Sequence, residues 1–459
     1  MNRGIPLLIA LSFIALALSP DLRLTPLLPW SIGLVITLFA VALCCERRIP
    51  PRWSPALILT LAAFLRLCFL ARPPELSDDL YRYLWDAEAV LAGHNPYALA
   101  PAQAHPDTPA LAALQAKVNH PELVTIYPPA AQLIFAAGGA LGRLMGDGAL
   151  GLKTLLCALD LLTCFALLRI LRRLELPTWR LALYAWHPLP VLEVAGAGHI
   201  DGAAVCLLVV SLGLALSPRD RLPSTVGSAL GSALGSAFGS ALGSGAAFAG
   251  AVLTKLFPLV LLPVLLTLTG RRRLGAFLGA FAVTAVALCV PFASHLGNGL
   301  ETLSTYAREW EFASFGFRSL RRWTGSGELA RQISGVGFGL ACLVAFATLG
   351  RKRAIEARTA LRAAYFVAFA FLVFTPTLHA WYALYLAAFL PFAAGPAGLA
   401  ISGSVFLGYR VLPRFVTEGE WVDSDGAALA IVAIPLAAYL LSRALRRVAA
   451  HQSPPNRPV

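Results

Sequence analysis

Residues 28–45 of the chain read LPWSIGLVITLFAVALCC, a run of eighteen residues without a charge. About 20 apolar residues in a helix are enough to cross the roughly 30 Å hydrocarbon core of a bilayer. The sequence therefore predicts an all-α polytopic membrane protein with about 14 transmembrane helices, because comparable apolar runs recur along the chain. These runs lie at 5–19, 54–71, 150–170, 181–195, 200–216, 226–252, 256–270, 274–292, 333–350, 360–377, 380–394, 397–412 and 426–443.

The composition supports the same class of protein. Of the 459 residues, 58% are hydrophobic and 13% are charged, and the mean hydropathy is +0.71. A soluble domain carries about 25% charged residues. The composition thus excludes a soluble enzyme, a nucleic-acid-binding protein and a disordered chain. It also excludes an outer-membrane barrel, whose short strands alternate in hydrophobicity.

The positive charge of the chain predicts its orientation in the membrane. Basic residues lie in short clusters between the apolar runs, and such clusters favour the cytoplasmic side. All of them reach that side if the apolar helix at about 128–145 does not cross, but lies in the interface or re-enters on the outer side. Both chain ends are then cytoplasmic, and 1–459 form a single integral membrane domain. The clusters are Arg47, Arg48 and Arg52; Arg169, Arg172, Arg173 and Arg180; Arg219 and Arg221; Arg271, Arg272 and Arg273; Arg351, Lys352, Arg353 and Arg358; and Arg443, Arg446 and Arg447.

This topology leaves two long loops on the outer side, at 72–149 and 293–332. Long ordered loops are often functional. The first begins with LSDDLYRYLWDAE at 76–88, which places Asp78 and Asp79 just past the end of a membrane helix. They could lie in the first turn of a helix capped by Ser77. They could also form a carboxylate pair at the lipid–water boundary that acts as a general base or holds a cation.

Further polar and aromatic residues converge on the same side and are candidates for substrate binding. A charged residue at membrane depth costs a few kcal/mol, so a group of them at one face indicates a site. Snorkelling, local ion pairs and an interfacial aromatic belt are the alternatives. The candidates are Tyr81, Arg82, Asp86, Tyr97, His120 and Tyr127 in the first loop, Arg308 and Arg318 in the second, and Glu193, His199, Asp201, Lys255, His379, Trp381 and Tyr382 at the ends of later spans.

No cofactor is assigned from the sequence. His199 and Asp201 could ligate a divalent metal together with Asp78 or Asp79, but two residues form only half a motif. A divalent cation therefore stays open as an alternative.

Over roughly 54–412 the chain resembles the C-type polytopic glycosyltransferases, which use polyprenyl-phosphate sugars. Three elements carry the resemblance: the acidic pair that heads the first large outer loop, a Gly-x-x-Pro-Tyr element at 93–97, and the Pro-Pro start of a helix at 128–129. The loop opening is also similar to that of the mannosyltransferase that starts the GPI-anchor glycan, although Leu80 replaces the second acid of its Asp-x-Asp. The layout is similar to that of bacterial polyprenol-phosphate-mannose-dependent mannosyltransferases.

The resemblance implies an enzyme that moves a hexose, with mannose favoured, from a polyprenyl-phosphate donor to a hydroxyl of a lipid or glycan acceptor. It implies inversion at the anomeric carbon and an active site on the outer face of a bacterial cytoplasmic membrane. Asp78 or Asp79 would take the acceptor proton. Lys255, or arginines of the second loop such as Arg308 and Arg318, would stabilise the leaving phosphate.

Three other classes of protein remain as alternatives. A transporter or flippase of lipid-linked sugars would show broken helices and an internal repeat of spans, and no such repeat is visible in the sequence. A polysaccharide polymerase or ligase would also act on lipid-linked sugars at the outer face. A membrane protein without catalytic activity is the third.

The predicted topology can be tested by cysteine accessibility. Single cysteines placed near positions 100 and 310 in a cysteine-free chain should react with an impermeant thiol reagent in intact cells. Cysteines near 175 and 355 should react only after permeabilisation. Labelling at 175 in intact cells would mean that the helix at 128–145 crosses and that the map is wrong beyond it.

Overall fold

The computed structural model describes residues 4–46, 48–216, 228–350 and 357–452, and confirms the all-α prediction. Arg47, Arg219, Arg221, Arg351, Lys352 and Arg353 of the basic clusters lie outside the described residues. The α-helices are α1 Gly4–Ala17, α2 Leu27–Cys45, α3 Pro55–Leu70, α4 Asp79–Leu91, α5 Pro109–Gln115, α6 Pro129–Met145, α7 Gly148–Arg173, α8 Ala182–Ala185, α9 Asp201–Ala215, α10 Ser228–Thr254, α11 Leu262–Thr269, α12 Leu274–Cys289, α13 Leu296–Glu309, α14 Phe315–Thr324, α15 Gly327–Gly350, α16 Ala357–Phe374, α17 Leu384–Ala393, α18 Pro396–Ser404, α19 Leu412–Glu418 and α20 Asp425–Gln452. Short 3-10 turns precede or extend several of them, at Phe257–Leu261, Ala380–Ala383 and Val405–Val411 among others.

Seven helical stretches are long and apolar enough to cross a membrane within the described ranges, or eight if one bent pair is a single span. Five further apolar helices have 10–17 residues, among them α1 and α3. The structure therefore supports a polytopic membrane protein, and the number of about 14 spans stays a prediction. The seven are Leu27–Cys45, Gly148–Arg173, Arg271–Phe292, Gly327–Leu349, Ala357–Phe374, Pro396–Glu418 and Asp425–Arg447.

One predicted span is wrong as a continuous helix. Residues 181–195 fold as the four-residue α8, a break, and a π-helical turn at Pro190–Gly196, which meets α9 at an angle of 120°. Pro188 and Pro190 cause the break, because proline has no N–H to donate to the preceding turn. All residues from 181 to 206 are buried. This buried bend carries three of the charged candidates into the centre of the bundle.

The helix predicted at 128–145 is α6, which joins α7 through a tight turn at Gly146 (φ +77°). The two helices pack on each other through glycines. A Cβ on Gly151 would lie 2.1 Å from the backbone nitrogen of Gly142, so only glycine allows this approach. α6 is not among the helices apolar enough to cross a membrane. Its interfacial or re-entrant position stays a prediction.

The two predicted outer loops lie at one end of the bundle and contact each other. The Asn95 side chain donates to the Phe292 carbonyl, and that of Asn298 to the Tyr97 carbonyl. At the far end of α7, Arg180 pairs with Glu46 at 2.6 Å. The 26 residues of α7 separate the two ends by about 39 Å, at 1.5 Å per residue.

Buried charges connect the helices beneath the loops. Arg66 of α3 pairs with Asp160 of α7 at 2.7 Å, and its guanidinium also donates to the Ala185 carbonyl. The buried ammonium of Lys153 donates to the carbonyls of Phe69 and Arg72, near the C-terminus of α3. Breaking such a buried pair is costly because it leaves a charge without a partner. These groups fix α3, α7 and the buried bend relative to one another.

The glycine contact between α6 and α7 generates a stability prediction. Gly151→Ala should destabilise the protein by at least about 1–3 kcal/mol, because backbone atoms cannot move aside as a side chain would. The matched control is Gly339→Ala in α15, where no atom lies within 4 Å of the added methyl group. We expect a lower Tm in detergent for the first variant only. Equal Tm values would mean that the two helices are not in close contact.

Candidate active site

The acidic pair lies where α4 begins. Asp78 is the N-cap residue and Asp79 the first residue of the helix, but the Asp78 side chain makes no capping hydrogen bond. The Asn119 side chain donates to both, at 3.0 Å to Asp78 Oδ1 and 3.0 Å to Asp79 Oδ1. Asp78 is exposed, and Asp79 is 19% exposed. The two carboxylates are thus held by another segment of the loop, which a simple helix cap does not require.

The surroundings of the pair favour the protonated form of one acid. The surrounding protein removes part of the water that would solvate the Asp78 carboxylate, and this desolvation raises its pKa above the ordinary value. The negative charge of Asp79 raises the pKa of Asp78 further. The hydrogen bond from Asn119 acts in the opposite direction, since it stabilises the ionised carboxylate.

Asp79 also accepts hydrogen bonds from two tyrosine hydroxyls. The Tyr127 hydroxyl donates to Asp79 Oδ2 at 3.2 Å, and the Tyr83 hydroxyl lies 3.4 Å from the same oxygen. Tyr97, predicted as a binding residue, is buried and donates to the Tyr127 carbonyl at 2.5 Å. Tyr97 therefore holds Tyr127 in place, and Tyr127 orients Asp79.

Lys255 lies over the ring of the same Tyr127. Its Nζ is 5.1 Å from the centre of the Tyr127 ring, 5.9 Å from that of Tyr382, and 3.4 Å from Asp201 Oδ2. Asp201 is fully buried, whereas the Lys255 side chain is 21% exposed. An ammonium has three donors, and one carboxylate does not use them all. Lys255 is therefore a fixed cation that can still contact an anion.

His199 joins the acidic pair to a deeper carboxylate. Its Nδ1 lies 3.8 Å from Asp79 Oδ2, and its Nε2 lies 3.4 Å from Glu193 Oε2. The Tyr409 hydroxyl donates to the same Glu193 oxygen at 2.8 Å. His199 and Glu193 have no exposed surface. A row of ionisable groups thus runs from the loop into the buried bend.

Aromatic rings form one wall of this cluster. Trp381 stacks on His199 with ring centres 3.8 Å apart, and on His379 with centres 4.2 Å apart. His379 in turn stacks on Phe312 of the second loop, at 5.0 Å. The continuous stack fixes the His199 ring and connects the second loop to the acidic pair.

Two more of the predicted binding residues, Arg82 and Asp86, contact each other inside the first loop. Arg82 is buried, donates to the His120 and Leu123 carbonyls, and lies 3.5 Å from Asp86. Burial raises the pKa of Asp86, and the Arg82 charge opposes that rise. The structure therefore gives Arg82 and Asp86 a role in holding the loop segment that contains Asn119.

Two further residues of the first loop face outward. The Tyr81 ring is half-buried, with the Lys117 ammonium 5.2 Å from its centre. His120 is exposed, has a positive φ of 44°, and lies 3.3 Å from Glu122.

The two arginines of the second loop differ. Arg308 is exposed on α13. Arg318 pairs with Asp423 at 3.2 Å and with Asp425 at 2.9 Å, so its charge is already neutralised. Arg318 is thereby a weaker candidate than Lys255 for contact with a phosphate.

Three residues of the site were not predicted from the sequence. Asn119 bridges the two acids, and its position beside His120 in a polar loop was the one available signal. The others are tyrosines, a residue type too common in membrane proteins to stand out: Tyr306, whose hydroxyl lies 2.7 Å from that of Tyr382, and Tyr409. Among the residues that the structure describes, no group of three or more His, Cys, Asp or Glu side chains is arranged to hold a metal ion.

A helical membrane bundle with carboxylates, a lysine and an aromatic wall beneath its longest loop is the architecture of a C-type membrane glycosyltransferase. Residues 8–271 match the family described as alpha-(1→6)-mannopyranosyltransferase, N-terminal domain. The match covers more than half of the chain, which therefore belongs to this family. No curated protein matches the chain. Membership of the mannopyranosyltransferase family makes the protein a glycosyltransferase that transfers mannose.

The contacts of Asn119 generate a prediction about pH. Asn119→Ala removes a hydrogen bond that favours ionised Asp78, so the pKa of Asp78 should rise further. If transfer requires the ionised pair, the acid limb of kcat/KM should move to higher pH, and activity should fall first on the acid side. Asn95→Ala is the control, since Asn95 joins the two loops without contacting the acids. An unchanged acid limb in Asn119→Ala would mean that this pair does not set it.

Proposed function

We propose that the protein transfers a mannosyl residue from a polyprenyl-phosphate mannose to a hydroxyl of a lipid-linked or glycan acceptor, with inversion at the anomeric carbon. The description of the family names an α-(1→6) linkage. If this chain forms that linkage, the acceptor group is a primary 6-hydroxyl. Inversion to an α product then requires a β-linked donor.

The general base in this proposal is Asp79. As the acceptor hydroxyl attacks the anomeric carbon, its proton passes to the Asp79 carboxylate, and the bond from that carbon to the phosphate oxygen breaks. Asp79 is favoured over Asp78 because it is held from three directions, by Asn119, Tyr127 and Tyr83. Such fixed geometry is what a base needs to meet its substrate within hydrogen-bond reach.

The leaving group in this proposal is a polyprenyl phosphate, which is stable as an anion and needs no general acid. Lys255 would stabilise the charge that develops on its bridging oxygen. The observation that carries the proposal is that Lys255 and Asp79 contact the same tyrosine: the Lys255 ammonium lies over the Tyr127 ring, and the Tyr127 hydroxyl donates to Asp79. A carboxylate and an ammonium held near one another by one side chain can contact the acceptor hydroxyl and the donor phosphate in the same site.

The outer face is the proposed location, in the cytoplasmic membrane of a bacterium. Arg180 and Arg358 lie at the end of the bundle away from the acidic pair, where Arg180 pairs with Glu46 and Arg358 donates to the Leu174 carbonyl. Positive residues favour the cytoplasmic side. The carboxylate cluster would then face outward, at the depth where lipid headgroups lie.

One structural feature also fits the alternative of a transporter. The bent pair of helices that carries Glu193, His199 and Asp201 resembles the broken helices of transporters. Membership of a mannosyltransferase family favours sugar transfer. The bend would then serve to bring charged side chains under the acidic pair.

The proposal is tested with purified protein, radiolabelled polyprenyl-phosphate mannose and a membrane lipid extract as acceptor. Asp79→Asn, which is nearly isosteric, should lower the rate of transfer by about 10²–10⁴-fold, as expected for loss of a general base. Asp78→Asn should cost much less. Asp107→Asn, at an exposed position of the same loop, is the control and should match the wild type. Wild-type turnover in both Asp79→Asn and Asp78→Asn would contradict the assignment of a base to this pair.

A further inference from the structure

A groove of about 660 Å³ opens between α2 and the helical stretch at Pro396–Glu418. Its walls are mainly apolar. Ile32 and Ile36 of α2 line one side, and Phe406 and Leu407 line the other. Gly33 adds a bare stretch of backbone, with no atom within 4 Å of where a side chain would begin. The groove can therefore accept a flexible hydrocarbon chain without displacing protein atoms.

Two arginines also line the groove, and they differ in charge balance. Arg23 forms a bidentate ion pair with Asp21, and the shortest distance between them is 2.7 Å. The two charges of this pair cancel. Arg410 is exposed and has no ion pair with any acid in the part of the chain that the structure describes. One uncompensated positive charge beside an apolar groove matches an amphiphile with an anionic headgroup.

Two residues that line the groove interact with neighbours of the acidic pair. The charge of Arg23 acts on Glu75 and Tyr81, which lie on either side of the pair in sequence. Tyr409 donates to Glu193, whose carboxylate lies 3.4 Å from the His199 ring. The groove therefore opens beside the side chains that surround the acidic pair.

The groove is also separate from the cation assigned to the donor. Lys255 contacts Asp201, Tyr127 and Tyr382, and none of these residues lines the groove. Transfer from one lipid to another requires both to bind at the same time, with their headgroups meeting at the base. The structure offers two such positions, one at Lys255 and one at the groove.

We propose that the groove binds the hydrocarbon chain of the acceptor, which is an anionic lipid, and that Arg410 holds its headgroup. This inference rests on the proposed function, since it assumes that the donor phosphate occupies Lys255. The acceptor hydroxyl then reaches Asp79 from the side of Arg23 and Tyr81. An acceptor that lacks a lipid tail would lose this binding.

The test fills the groove without touching the carboxylates. Gly33→Phe places a ring in the open space of the groove. The matched control is Gly279→Phe in α12, an exposed glycine of another span that also has no atom within 4 Å and does not line the groove. A second variant, Arg410→Gln, removes the charge and leaves the groove open.

The probe is phosphatidylglycerol with a photoactivatable diazirine on its acyl chain, in nanodiscs of phosphatidylcholine. In the wild type and Gly279→Phe, light should attach it to peptides within 27–45 and 396–418. In Gly33→Phe this labelling should fall by about tenfold or more, which corresponds to about 1.4 kcal/mol. Arg410→Gln should lose the preference for phosphatidylglycerol over a phosphatidylcholine probe. Equal labelling of Gly33→Phe and Gly279→Phe would overturn the groove as a lipid site.

Kinetics then distinguish acceptor from donor. With labelled polyprenyl-phosphate mannose and a lipid extract as acceptor, Gly33→Phe should raise the extract concentration needed for half-maximal rate and leave the KM of the donor unchanged. A higher KM for the donor instead would overturn the assignment to the acceptor. Absence of transfer by the wild type would contradict the proposed function, while the labelling would still decide whether the groove binds lipid.

Discussion

The site depends on how the partly buried Asp79 carboxylate is held. Asn119 holds one of its oxygens, and Tyr127 holds the other, with His199 3.8 Å away. An ionised group in such a place is stable only if polar neighbours replace the water it has lost. Those neighbours come from two loop segments and the buried bend, so the loop must be folded on the bundle for the site to exist.

The buried bend between α8 and α9 follows from the same constraint. Glu193, His199 and Asp201 could not remain at membrane depth on a straight span that faces lipid. Prolines at 188 and 190 interrupt the helix, and the turn places all three side chains in the protein interior. Each then finds a partner of its own: Tyr409 for the glutamate, the Trp381 ring for the histidine, and Lys255 for the aspartate.

The sequence was sufficient to predict the fold class and to select charged residues that the structure brings together. Long apolar runs predict helical spans from length alone, and charges at membrane depth are costly enough to make Glu193, His199, Asp201 and Lys255 candidates for a site. Residues 181–195 were wrongly predicted as one helix because hydropathy does not register a proline break.

The partners that orient the charges could not be predicted, because they come from distant parts of the chain. Asn119 is 41 residues from Asp78, and Tyr409 is 216 residues from Glu193. Neither an asparagine in a polar loop nor a tyrosine in an apolar run is unusual on its own. The same limit applies to Arg318, whose charge the sequence assigned to a phosphate and the structure pairs with Asp423 and Asp425.

The central claim is that a sugar phosphate lies between Lys255 and Asp79. Its most direct test is an experimental structure of the protein with a non-hydrolysable phosphonate analogue of polyprenyl-phosphate mannose. We expect the phosphonate oxygens within hydrogen-bond distance of Lys255 Nζ and the anomeric carbon facing the Asp79 carboxylate. A phosphonate bound by the arginines between 308 and 322, with Lys255 still paired with Asp201 alone, would contradict the claim.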